Sequence, residues 1–143
     1  MSTESQLTQT FCDNFMAYFK SHVSHVNITG RNFQSDHALL NGIYDELQDQ
    51  IDIIAELLRS IDAMMPNSIK QITDVSYLAD SAVAGDADEL LSGVLDDLEL
   101  LKGTYEDLMS EAERDNHKEI ANYAQDRILS LAKHIWMLKS TLA

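Results

Sequence analysis

Cysteine, proline, glycine and positive charge are all scarce in this chain of 143 residues. The single cysteine, Cys12, rules out an intrachain disulfide and fits a reducing compartment. Flanked by Phe11 and Phe15, it is expected to be a small buried hydrophobe. One proline and five glycines leave long stretches free to be helical. No run of β-branched residues alternates over more than a few positions, so strand signals are weak. No apolar run approaches the ~20 residues of a membrane span. The start, MSTESQLTQT, lacks the basic and apolar regions of a signal peptide. The expected address is the cytoplasm, with no membrane partner.

Ten Lys and Arg stand against twenty-four Asp and Glu, a formal net charge of −14. Nucleic-acid binding rests on clustered basic residues, and neither end of the chain offers a basic arm. Direct DNA binding is therefore not expected. Such a chain suits cations and stays soluble by self-repulsion.

What is present is helical periodicity. Hydrophobic residues make up 45% of the chain, enough for the core of one domain, residues 1–143. Leu7, Phe11, Phe15, Phe19, Val23 and Val26 recur at helical spacing over roughly residues 4–28, and Gly30 ends the run. A second helix starts near Gln34, carries Leu40, Ile43, Tyr44, Leu47, Ile51, Ile54, Leu58 and Ile61, and is closed by Pro66 and Asn67 at about residue 65. A third runs from about Asp86 to Glu113. Asn116 and Glu119 have capping-box spacing and open a fourth. IKQITDVSYLA predicts a short helix inside the long link between the second and third. The expected fold is all-α: two hairpins joined by a long crossover, a four-helix bundle of the ferritin-like topology.

Three of the five histidines, His22, His25 and His37, lie around the Gly30 turn. In an antiparallel hairpin His25 and His37 fall at similar heights, and paired imidazoles begin a transition-metal site. Asp52 and Glu56, at i and i+4 on the second helix, supply acidic ligands. His37 and Asp52 are fifteen residues apart, or roughly 22 Å at about 1.5 Å per residue. One ion cannot touch both within a single chain. Two copies of the second helix, antiparallel about a two-fold axis near Asp45 or Glu46, would bring them together. Each residue alone more often has a bland role: a flanking histidine is usually packed or solvated, and an acidic helix face is usually solvation. A phosphotransfer histidine on a monomeric bundle is the competing reading, disfavoured because nearby acids repel phosphate.

The stretch His25-Val26-Asn27-Ile28-Thr29-Gly30, with Asn32-Phe33, His37, Asp52, Ala55-Glu56 and Arg59, resembles the signature of the Dps proteins, the mini-ferritins. Asp126-Arg127-Ile128 and Lys133-His134-Ile135-Trp136-Met137-Leu138 are similar to the last helix of that family. The resemblance implies a hollow homo-dodecamer that acts as a ferroxidase. Fe(II) would be oxidised by hydrogen peroxide or dioxygen between two-fold-related subunits, and Fe(III) stored in the cavity, protecting against oxidative stress. His25 and His37 of one subunit, with Asp52 and Glu56 of its neighbour, would be both metal ligands and catalytic residues. Zinc would compete for the same imidazoles and carboxylates.

The chain departs from the family pattern at several points. Four residues after His37 the family usually has Asp, whereas this chain has the neutral Asn41, and the nearby Ala38 and Gly42 stand where family members often have further acids. A neutral amide binds iron less strongly than a carboxylate, which weakens a second iron position and mineral nucleation, with His22 and Asp45 the nearest groups that could compensate. The alternative reading is a Dps-like shell with weakened ferroxidase activity, acting mainly in metal binding or as a structural assembly. Val26 stands where the family has Trp. Asp115 and Glu119 read equally as caps or as part of an acidic three-fold pore. Trp136, Met137, Tyr44, Tyr105, Met64 and Met65 are expected in packing roles. His117 and His134 are expected to be solvated.

Overall fold

The computed structural model describes all 143 residues as five helices: α1 (Thr3–Asn27), α2 (Phe33–Ser60), α3 (Ile69–Val75), α4 (Ala87–Arg114) and α5 (Lys118–Leu142). The four long ones form the bundle. α1 packs against α2 and α4 against α5, and α1 also lies along α4. The short α3 sits in the crossover and touches α1. No helix is long and apolar enough to cross a membrane.

Each long helix owes its place to one apolar stripe. Leu7 and Phe11 on α1, Leu40, Ile43, Leu47, Ile54 and Leu58 on α2, Leu98, Leu101 and Leu108 on α4, and Leu131 and Leu138 on α5 are fully or almost fully buried. Burying each such side chain is worth about 1.5–3 kcal/mol, which outweighs helix propensity as the force ordering the bundle. Cys12 is fully buried among them, and burial pushes its thiol up to about 12.

A buried carboxylate fixes the crossover. Asp13 of α1 accepts four hydrogen bonds: from Gln9 Nε2 (3.1 Å), Ser76 Oγ (2.9 Å), the Tyr77 backbone N–H (2.7 Å) and Thr104 Oγ1 (2.8 Å). Burial raises its pKa, and these donors oppose that shift. One residue thus ties α1 to α4 and to the chain leaving α3.

Two helix ends differ from expectation, for one reason. α2 stops at Ser60 rather than near residue 65, because Asp62 adopts φ 62°. The Ala63 and Asp62 N–H groups then donate back to Leu58 O (2.9 Å) and Arg59 O (3.1 Å), a Schellman closure that needs no proline. Asn116 does the same for α4: at φ 63° it lets His117 N–H reach Ala112 O (2.8 Å). It closes one helix and does not cap the next. His117 is the N-cap of α5 and makes no side-chain capping bond.

Several side chains also differ. Trp136 is 64% exposed, and Met137, Met64 and Met65 face outward as well, so none of these packs in the core of one chain. Phe19 and Val26, on the expected α1 seam, are exposed too. His134 is not solvated: its Nε2 meets Glu46 Oε2 at 3.0 Å, and its side chain is mostly buried. Tyr105 is buried as expected, its hydroxyl donating to Asn14 Oδ1 (3.3 Å). Asp115 does not cap α5: it ends α4, and its carboxylate accepts from both the backbone N–H (3.0 Å) and the hydroxyl (2.7 Å) of Thr3 in the first turn of α1.

Candidate metal centre

The α1–α2 turn places the two histidines. Ile28 ends α1, its N–H donating to Ser24 O (3.0 Å), and its side chain is buried. Gly30 then takes φ 124°, a backbone conformation that L side chains rarely adopt, and Phe33 N–H closes onto Gly30 O (3.2 Å). His25 falls in the last turn of α1, and His37 in the second turn of α2.

The imidazoles stack at 3.8 Å between centroids, with 15° between planes. Each is fixed by the backbone of the other. His25 Nδ1–H donates to His37 O (2.8 Å), and His37 Nδ1–H donates to His25 O (2.7 Å). A carbonyl can only accept, so both Nδ1 atoms carry protons. In the neutral rings the Nε2 lone pairs are therefore free. His25 O receives no backbone N–H, so His37 also satisfies an orphan carbonyl of the α1 end. Burial, and then the neighbouring His37 and His22, holds His25 below the ordinary imidazole range, favouring the neutral, ligating form. Orientation of a ligating imidazole by a carbonyl on its second nitrogen is the arrangement metal sites use.

Asp52 and Glu56 lie further along α2, both exposed and one turn apart. Glu56 is pushed up, first by a hydrogen bond shared with Asp52 and then by its negative charge. Arg59 does not neutralise them; it donates to Ala63 O (3.0 Å). Two crowded carboxylates without a cation form an acceptor for one. Because α2 is unbroken from Phe33 to Ser60, the rise of roughly 1.5 Å per residue keeps Asp52 about 22 Å and Glu56 about 28 Å from His37. Within one chain no three His, Cys, Asp or Glu side chains converge on a metal position. The structure thus joins His25 to His37 and Asp52 to Glu56, and leaves the two pairs apart.

Sequence reasoning missed the rings around the pair. Tyr44 lies 4.8 Å from His25, and His22 stacks on Tyr44 at 4.1 Å, between α1 and α2. The helical spacing of Tyr18 and His22 was the available signal. Asn41 and Asp45 are exposed on α2.

Comparison with known proteins agrees with the fold. The family model Ferritin, a ferritin-like domain, matches residues 4–143. The chain is 26% identical to the DNA protection during starvation protein of Helicobacter pylori, with 100% of each chain covered. It is 29% identical to Helicobacter cinaedi CAIP, covering 99% of this chain and 100% of that one, with a TM-score of 0.91. Dps from Thermosynechococcus elongatus, at 18% identity, has the same fold: TM-score 0.94, with 99% and 90% of the two chains covered. The chain belongs to the Dps family of ferritin-like proteins.

Proposed function

We propose that the protein assembles as a homo-dodecamer that oxidises Fe(II) with hydrogen peroxide or dioxygen at two-fold dimer contacts and stores Fe(III) in its cavity. The observation that carries this reading is the reciprocal Nδ1–carbonyl bonding of His25 and His37, which leaves the Nε2 lone pairs of two stacked rings free. Two copies of α2 packed antiparallel would add Asp52 and Glu56 of the neighbour to that pair. Mixed imidazole and carboxylate donors suit iron, and hard carboxylates favour the ferric product. Two Fe(II) ions give up two electrons; peroxide takes them with two protons and leaves as two waters. Consuming both reactants suppresses hydroxyl-radical formation. Zn(II) would occupy the same donors and inhibit.

The test combines mass and chemistry. Size exclusion is expected to give a particle many times 16.1 kDa. Fe(II) bound anaerobically and then exposed to peroxide is expected to raise near-ultraviolet absorbance far faster than buffer does, and His37→Leu to abolish the difference. A lone subunit, or oxidation no faster than in buffer, would refute the reading.

A second reading rests on Asn41, a neutral, exposed amide one turn after His37. It gives a shell with reduced oxidase activity, acting mainly in metal binding. Under it, Asn41→Asp accelerates oxidation severalfold; an unchanged rate would remove this reading.

A further inference from the structure

A continuous ladder of rings runs from the histidine pair into the body of the α1–α2 hairpin. His37 stacks on His25 at 3.8 Å, His25 lies 4.8 Å from Tyr44, and Tyr44 is parallel to His22 within 4° at 4.1 Å. Tyr18 closes the ladder, 5.6 Å from His22 and 6.4 Å from Tyr44. Its hydroxyl oxygen lies 3.2 Å from His22 Nδ1 and has no other partner. The two legs through Tyr44, 6.4 and 4.8 Å, keep Tyr18 within 11.2 Å of the His25 ring.

Ring stacking alone is what any core shows. What distinguishes this ladder is that it joins a phenol with its own proton acceptor to a pair of free imidazole nitrogens. A phenol that loses an electron becomes strongly acidic, so oxidation is eased when a base already holds its hydrogen bond. His22 Nδ1 is such a base when its ring proton sits on Nε2.

We propose that Tyr18, with His22 as proton acceptor and Tyr44 as the stacked bridge, is a one-electron donor to iron oxidation at the His25–His37 pair. This rests on the iron reading above. Peroxide needs two electrons, and one Fe(II) supplies one. Asn41, being neutral, weakens the hold on a second Fe(II) four residues after His37. Without another donor, the O–O bond would split to hydroxide and hydroxyl radical. Tyr18 instead supplies the second electron and becomes a phenoxyl radical, its proton passing to His22. The O–O bond breaks, two solvent protons complete two waters, and Fe(II) becomes Fe(III). A later Fe(II) returns an electron to the phenoxyl, and His22 returns the proton. The sum is two Fe(II), one peroxide and two protons giving two Fe(III) and two waters.

The experiment uses the assembled protein with one Fe(II) per histidine pair, mixed with one equivalent of hydrogen peroxide and freeze-quenched. Electron paramagnetic resonance is expected to show Fe(III) together with a phenoxyl radical whose pattern narrows with ring-deuterated tyrosine. Tyr18→Phe is expected to lose that radical and to release severalfold more spin-trapped hydroxyl radical per Fe(III). His22→Gln, which keeps the phenol, is expected to lower the radical yield, and it carries the test should Tyr18→Phe fail to assemble. Fe(III) without a phenoxyl radical, or a radical unchanged in both variants, would overturn the relay and leave the iron site standing. Absence of Fe(III) formation would remove the iron site, and the relay with it.

Discussion

Glu46→Leu should destabilise the bundle by about 3 kcal/mol, through a charge it leaves stranded. Glu46 of α2 holds α5 through Arg127 Nη1 (2.6 Å) and His134 Nε2 (3.0 Å). These partners, His134 first, hold its carboxyl down at about 2 against an ordinary 4.5. At about 1.4 kcal/mol per unit the gap corresponds to about 3 kcal/mol. The Glu46 side chain is still 32% exposed, so screening trims this toward about 2 kcal/mol. Arg127 adds to the loss: its side chain is 6% exposed, and its Nε and Nη2 already lack partners. Removing Glu46 orphans Nη1 as well. In thermal unfolding at neutral pH the variant should melt roughly 10 °C lower, at about 3 °C per kcal/mol. The double variant Glu46→Leu/Arg127→Leu should recover much of the loss, because no charge is left buried. Since the folded carboxyl is the stronger acid, the Glu46 contribution is complete above pH 4.5 and fades as pH falls toward 2. Acid sensitivity over that window should therefore be weaker in Glu46→Leu. A single variant as stable as the parent at neutral pH would refute the reasoning.

Other outcomes follow from single positions. Gly30→Ala meets no neighbouring atom but must occupy φ 124°; it should cost about 1–3 kcal/mol by backbone strain alone and disturb the His25–His37 stack, read as imidazole shifts by NMR. Unchanged stability and shifts would contradict it. Cys12, buried with its thiol pushed up to about 12, should resist iodoacetamide at pH 8 in the folded protein and react once unfolded. Equal labelling rates in the two states would count against the burial.

Much of the fold was legible because apolar period and turn chemistry agree. Leu40 through Leu58 on α2 and Leu90 through Leu108 on α4 keep one face over many turns, and Gly30 punctuates the first hairpin where it was expected. The errors lie where a non-glycine residue goes left-handed. Asp62 and Asn116 end helices by Schellman bonding, and nothing local separates such an Asn from an N-cap before the turn forms. Side chains outside the core of one chain, such as Trp136 and Val26, carry the same apolar signal as core residues. The Glu46–Arg127–His134 network joins residues 81 and 88 positions apart, so it follows from the α2–α5 contact and not from spacing. In the site, twelve residues about a glycine turn sufficed to pair His25 with His37. The tautomer, the carbonyl bonds and the Tyr44–His22 stack are tertiary facts.

The most direct test of a centre shared between subunits is complementation. Chains carrying His25→Ala/His37→Ala are mixed with chains carrying Asp52→Ala/Glu56→Ala under conditions that dissociate and reform dimers. Each mixed dimer would hold one site with all four donors native and one with none. Each variant alone is expected to be inactive in peroxide-driven Fe(II) oxidation, and the mixture to recover about a quarter of the parental rate if dimers pair at random. A mixture as inactive as its components would contradict a site built across the two-fold axis.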